Sequence, residues 1–184
     1  YTPWLYGNGG FKADLTVLRL GTDHFRVITG GGDGGRDKAW LMQHMPEDGS
    51  VRLEDITSGT CTIGLWGPKA RAVLSSITED DVSNEGIPYG WAKEIRIGSI
   101  KATAFRISYV GELGWEITTQ TEHGLKLWDT IWAAGQPHGI APVGIGVYGT
   151  TGRIEKGYRL MGHELESPYA PVEAGLARPI GQNA

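Results

Sequence analysis

Residues 14–29 read Asp-Leu-Thr-Val-Leu-Arg-Leu-Gly-Thr-Asp-His-Phe-Arg-Val-Ile-Thr. The first seven are rich in branched apolar residues and alternate for most of their length, the signature of a half-buried strand. Gly21-Thr22-Asp23 is turn chemistry, and residues 24–29 read as the returning strand. The stretch predicts an antiparallel hairpin. Upstream, Tyr1-Thr2-Pro3-Trp4 reads as a strand or turn. Downstream, residues 30–35 (GGGDGG) read as a mobile loop or a backbone site needing unusual dihedrals. Residues 37–45 predict a short helix that ends near Pro46.

The same alternation of hairpin and helix continues. Residues 52–57 and 60–65 are strand candidates around a Ser58-Gly59 turn. Residues 68–76 predict a helix with Pro68 in its first turn, where no N–H is needed. Residues 94–97 and 101–109 read as strands around Gly98-Ser99, and 115–119 as another. Residues 122–134 place Leu125, Leu127, Trp128, Ile131 and Trp132 at helical spacing, closed by Gly135. Residues 140–143 read as a short strand, and 146–156 as a glycine-weakened helix stopped at Gly157. The pattern predicts an α+β fold with mostly antiparallel sheets and packed helices.

Composition bounds the function. The 184 residues are 40% hydrophobic and 21% charged, which is globular and argues against disorder. No apolar run approaches the roughly 18–20 residues of a membrane span, so no membrane partner is expected. A net charge of −4 disfavours nucleic acid. A single cysteine, Cys61, excludes an internal disulfide framework and a multi-cysteine metal site. Gly is 29 of 184, over twice the usual share of about 7%, which implies turns and close backbone approaches. The chain opens without Met and reads as a piece of a longer protein, one to one-and-a-half domains on a prior of roughly 100–200 residues each.

Several motifs carry little. Residues 144–149 (GIGVYG) fit G-x-G-x-x-G, but no suitable second strand with a terminal acid follows. Residues 30–35 lack the Lys-Ser/Thr of a P-loop. The five histidines show no metal-ligand spacing, so no metal is expected. Glu79-Asp80-Asp81 reads as a solvated acidic turn, and no G-x-S-x-G elbow is present.

Three segments place polar residues where the local pattern does not require them. In Gly9-Gly10-Phe11-Lys12-Ala13-Asp14 a carboxylate opens an apolar strand; Asp14 is either a reactive acid or a solvated strand start. In Tyr109-Val110-Gly111-Glu112-Leu113-Gly114-Trp115-Glu116 two glycines bracket Glu112 at a strand corner, next to Tyr109 and Trp115; the alternative is an exposed hairpin Glu. In Gly152-Arg153-Ile154-Glu155-Lys156-Gly157-Tyr158-Arg159, Arg153 and Lys156 share a helix face, or the segment holds only a surface salt bridge.

The order GG-x₃-D-L, Y-x-G-E-x-G-x-E, R-x-E-K-G-Y-R, Glu164-Leu165 and Pro171-Val172-Glu173-Ala174-Gly175-Leu176 resembles the folate-binding aminomethyltransferase family, which includes the glycine cleavage T-protein. Asp14-Leu15-Thr16-Val17, Lys156-Gly157-Tyr158-Arg159 and the P-x-E-A-G-L ending look closer to the folate domain of dimethylglycine and sarcosine dehydrogenases and oxidases. The T-protein pattern has two acids where Ala13-Asp14 stands, which favours the dehydrogenase branch, and a tyrosine common near Met161-Gly162 in T-proteins, which bears on folate packing there, is absent here. A fainter echo of folate-binding iron–sulfur assembly factors fails on their Lys-Gly-Cys signature, since Tyr158 replaces the Cys.

The resemblance implies that residues 1–184 form one folate-binding domain, truncated at both ends and without the C-terminal β-barrel lobe of the family. It implies tetrahydrofolate as cofactor, with FAD only on a domain or partner outside this chain. Asp14 takes the place of the catalytic carboxylate near folate N5. Glu112 takes the place of the pterin-binding glutamate, Arg153 that of the motif arginine, and Tyr1 that of a pocket tyrosine. Tyr109 and Trp115 would supply aromatic walls. The implied activity is one-carbon transfer from a small-molecule donor, in a flavin-dependent N-methyl-amine dehydrogenase or oxidase. Alternatives are the T-protein itself, a folate-dependent O- or S-demethylase, and a non-catalytic folate-binding module. The implied compartment is the cytoplasm, or the mitochondrial matrix in a eukaryote.

Overall fold

The computed structural model describes residues 1–176. The chain divides into two units, one of Tyr1–Leu53 with the return segment from Arg159, the other of Glu54–Tyr158.

The first unit is built on the predicted hairpin. Strand β1 (Thr2–Leu5), β2 (Phe11–Arg19) and β3 (Phe25–Ile28) form an antiparallel sheet in the order β1-β2-β3. The hairpin closes where the Leu20 and Gly21 amides donate to the His24 carbonyl. Thr16 faces Ile28 and Arg19 faces Phe25 across it. Strand β2 starts earlier than the alternation at Asp14 implied, because β1 pairs with its first half, Trp4 opposite Ala13 and Thr2 opposite Leu15. Phe11, Ala13 and Leu15 are buried on one face. Lys12, Asp14, Thr16 and Leu18 leave the other.

Helix α1 (Gly34–Gln43) begins three residues before the predicted start, capped by backbone bonds from Asp37 N to Asp33 O. None of the glycines at 30–35 adopts a positive φ, so the expected loop of unusual dihedrals is a short turn running into this helix. Further along the same unit, the Phe11 amide donates to the Glu166 carbonyl, and Leu165 is fully buried.

The second unit is a four-stranded antiparallel sheet of β4 (Thr60–Trp66), β5 (Ala92–Ile97), β6 (Ile100–Phe105) and β7 (Gly114–Gln120), in the order β4-β7-β6-β5. Helices α2 (Ala70–Ser75) and α3 (Gly124–Gly135) bury Val73, Leu74, Leu127 and Ile131 in a core with Ile95, Ile97, Ile100, Trp115 and Ile117. The amphipathic pattern of 122–134 thus predicts its helix correctly.

Two expected strands are absent. Residues 52–56 are irregular and Thr57–Gly59 is a 3₁₀ turn, because the Asp55 carboxylate accepts from the Thr57 amide at 3.1 Å and competes with ladder pairing. Residues 140–143 are also irregular. The Ile140 amide is spent on the Gly135 carbonyl at the end of α3, and Pro142 has no N–H to offer. The G-x-G-x-x-G stretch therefore follows no strand. The predicted helix over 146–156 is a π-helical turn at Val147–Gly152 running into α4 (Arg153–Lys156), and Gly157 ends it at φ +79°.

Candidate functional site

In the second unit, residues 106–113 make the corner between β6 and β7. The corner is fixed by the buried Ser108, whose Oγ accepts from the Glu112 amide at 3.1 Å. Gly111 turns it at φ +80°. Glu112 itself is exposed and faces a cleft of about 670 Å³. Trp66, Tyr148, Trp128, Trp132 and Val110 form apolar walls of that cleft, and Glu155 is a second carboxylate on it.

The backbone gives way to aromatic rings here. A Cβ at Gly64 would collide with the Trp66 indole, and one at Gly114 with the Leu65 carbonyl and the same indole. The Trp66 ring therefore packs closely against two glycine positions, one on β4 and one on β7. Its Nε1 donates to the Ile107 carbonyl at 3.0 Å, which ties the ring to the Glu112 corner. Trp66 contacts Tyr148 at 5.5 Å between centroids, Tyr148 contacts Tyr109 at 5.1 Å, and Tyr109 stacks on Tyr158 at 6.0 Å.

Arg153 is 4% exposed. Its guanidinium donates to the Gly149 carbonyl at 2.6 Å and to the Tyr158 carbonyl at 3.0 Å, so it braces the π-helical turn that carries Tyr148. Trp115 is a core side chain at 0% exposure, with the Arg71 guanidinium 5.3 Å from its ring. The aromatic walls nearest the Glu112 corner are instead Trp66 and Tyr148, and Tyr109 packs against Tyr148 without lining the cleft. Sequence pattern alone singles out neither Trp66 nor Tyr148. The available signals were the Gly-x-Trp at the end of the 60–65 strand and the tyrosine inside the G-x-G-x-x-G match. The Glu116 carboxyl, half-buried on β7, is pushed above its ordinary pKa by burial.

In the first unit, Asp14 sits on β2 opposite Pro3. Burial pushes its carboxyl above the ordinary range. The Tyr1 hydroxyl, donating to Oδ2 at 3.5 Å, pulls it back, and the nearby Asp33 and Asp37 charges push it up. Asp37 is buried on α1, where it accepts from the Thr29 hydroxyl and from Arg36 Nε; Arg36 also pairs with Asp33 at 3.1 Å. An acid that holds its proton more tightly than usual is suited to exchanging one with a bound amine. Among the described residues no His/Cys/Asp/Glu group is arranged to hold a metal ion.

The family described as the GCVT N-terminal domain matches residues 1–183. The chain belongs to that family. It is 37% identical to an aminomethyltransferase of Chloroherpeton thalassium over 176 residues, covering 96% of this chain and 48% of that protein. It is 36% identical to the mitochondrial dimethylglycine dehydrogenase of Homo sapiens over 170 residues, 91% of this chain and 19% of that protein. The chain thus spans about half the length of the first relative and a fifth of the second. A heterotetrameric sarcosine oxidase from Corynebacterium sp. U-96, in complex with pyrrole 2-carboxylate, superposes with a TM-score of 0.57 at 19% identity, over 72% of this chain and 65% of that one. That likeness confirms the expected α+β fold. No helix among the described residues is long and apolar enough to cross a membrane.

Proposed function

We propose that this GCVT-family chain is a single tetrahydrofolate-binding domain that transfers one-carbon units, within a flavin-dependent dehydrogenase or oxidase of N-methyl amines. The observation that carries this reading is Glu112 on its Ser108-fixed corner, facing an aromatic-walled cleft of about 670 Å³. Ligand sites of small cofactors run to roughly 300–1,000 Å³, mostly apolar with a few convergent polar groups. A reduced pterin shows an N–H and an amino group side by side, which a carboxylate accepts in bidentate fashion. Glu112 supplies that acceptor, Trp66 and Tyr148 supply aromatic walls, and Tyr109 packs against Tyr148 from outside the lining. Arg153 and Trp115 belong to the site as its support, Arg153 by bracing the Tyr148 turn and Trp115 by filling the core beneath the corner.

When bound, tetrahydrofolate supplies a nucleophilic nitrogen for an electrophilic one-carbon unit. Asp14 is the group that takes up the proton, with Tyr1 orienting its carboxylate. Ala13 before Asp14 supports the dehydrogenase branch over the T-protein, whose relatives match at nearly the same identity. The remaining partners are a small-molecule one-carbon donor, a β-rich lobe and a flavin domain of the same protein. The compartment is the cytoplasm or the mitochondrial matrix.

The test is anaerobic calorimetry of tetrahydrofolate on the full-length parent protein and its Glu112→Gln variant. The swap keeps shape but replaces a two-acceptor carboxylate by an amide, at a cost of about 1–3 kcal/mol, or roughly ten- to a hundredfold in affinity. No binding to the parent sinks the folate reading. Tight binding untouched by the swap keeps folate and removes Glu112 from it.

A further inference from the structure

Lys12 is 8% exposed, on the same face of β2 as Asp14. Lysine is almost never buried this far unless it is paired with an acid. Here its ammonium has no hydrogen-bond or ion-pair partner among the described residues, although Asp14, Asp33 and Asp37 belong to the same unit. What holds it is two rings. Nζ lies 4.0 Å from the centroid of Trp40, on α1, and 4.9 Å from that of Tyr6, in the turn before β2. Both are within the roughly 6 Å reach of a cation–π contact. Ring faces attract the charge but accept no strong hydrogen bond, so an ammonium with three N–H donors retains unmet donor capacity.

The stem is buried, but Nζ is not among the side-chain atoms closed off from water, so a ligand anion can reach it, and among the described residues it has no counter-charge to displace. Resting on the folate reading above, we infer that Lys12 is a carboxylate-binding residue for the ligand that Asp14 works on. The two side chains leave one strand face about 7 Å apart along β2. A ligand whose amine lies at Asp14 would present a carboxylate to Lys12. Two ligands of the proposed reaction carry one. An N-methyl amino acid donor has its carboxylate one carbon from the nitrogen, and folate carries carboxylates on its glutamyl tail. Lys12 then selects for acid-bearing ligands over their neutral or purely cationic counterparts.

The test uses the full-length parent protein and calorimetry with two matched pairs of probes. One pair is N,N-dimethylglycine and N,N-dimethylethylamine; the other is tetrahydrofolate and 6-methyltetrahydropterin. Binding elsewhere in the protein cancels between wild type and variant. Lys12→Met is expected to weaken the carboxylate-bearing member of one pair at least tenfold and to leave its carboxylate-free partner unchanged. The pair that responds identifies the source of the carboxylate. Lys12→Arg keeps the charge and is expected to stay within about threefold of wild type. Met replaces the buried apolar stem of Lys12 and is compatible with folding, and Lys12→Gln gives a second neutral variant. Equal losses for both members of a pair, or no loss in either, overturn the inference. If the wild type binds tetrahydrofolate and 6-methyltetrahydropterin normally and Lys12→Met changes nothing, only the Lys12 site falls. If the wild type binds none of the four probes, the folate reading falls with it.

Discussion

The Arg153 guanidinium donates to the carbonyl of Tyr158 at 3.0 Å, across the Gly157 stop that ends α4. With its second bond, to Gly149, it holds together a segment whose sequence is weakly helical. Arg153→Met removes charge-assisted bonds to two carbonyls, each worth roughly 1.5–3 kcal/mol. We expect a loss of about 2–4 kcal/mol, read as a lower urea midpoint at unchanged slope. Arg153→Lys should rescue little, because an ammonium lacks the fixed fork that spans two acceptors. A normal midpoint combined with lost folate affinity would move Arg153 from brace to ligand contact.

Glycine substitutions should separate close packing from mere flexibility. Gly114→Ala would drive a methyl group into the Leu65 carbonyl and the Trp66 indole, and should cost about 1–3 kcal/mol. Gly35→Ala meets open space inside α1, at a φ that is not positive. It should stabilise by about 0.5–1 kcal/mol, the helix penalty of glycine. Thermal melts of both variants decide this, and equal shifts would refute the packing around Trp66.

Asp14 makes a signed prediction for pH. Its pKa is raised in the folded state, chiefly by burial, so the native protein binds the proton more tightly than the unfolded chain does. Stability contributed at Asp14 is therefore greatest below the unfolded value and falls as pH rises through the interval up to the raised folded value. Asp14→Asn should flatten that decline and stabilise the protein at neutral pH, while abolishing one-carbon transfer. Tyr1→Phe removes the hydrogen bond that opposes the shift, so the Asp14 pKa should rise further. A carboxyl-carbon NMR titration of wild type and Tyr1→Phe measures both directions. A downward move in Tyr1→Phe would show that the hydroxyl does not favour the carboxylate.

The hairpin at 14–29 was legible because each strand alternates and the turn between them is short and polar. The α3 face was legible for a similar reason, since Leu127 and Ile131 recur at helical spacing. The two false strands show what local patterning omits. At 52–57 a carboxylate claims a backbone amide, and at 140–143 the preceding helix claims one and proline lacks one. The polar side of the site, Glu112 and Asp14, could be picked out by chain order and glycine context. Its aromatic walls could not. Trp66 and Tyr148 meet only after β4, β7 and the π-helical turn are assembled, whereas Trp115, three residues after Glu112 and already on β7, points into the core with Ile117 because alternate strand positions share a face.

Ser108 offers the sharpest check on how the Glu112 corner works. Its hydroxyl accepts from the Glu112 amide and is itself buried, so Ser108→Ala leaves that amide without its acceptor at a cost of about 1–3 kcal/mol. The same loss lets the corner move, and tetrahydrofolate affinity should fall severalfold. Ser108 acts on the ligand only through the placement of Glu112. In a Glu112→Gln background the carboxylate contact is already gone, so adding Ser108→Ala should change affinity little further. Groups that act through one another give such non-additive cycles, whereas independent sites add to within about 0.3–0.5 kcal/mol. A calorimetric cycle over the four proteins measures the coupling. Full additivity would mean that Ser108 supports the fold alone, and that Glu112 is oriented by something other than the bond to its own amide.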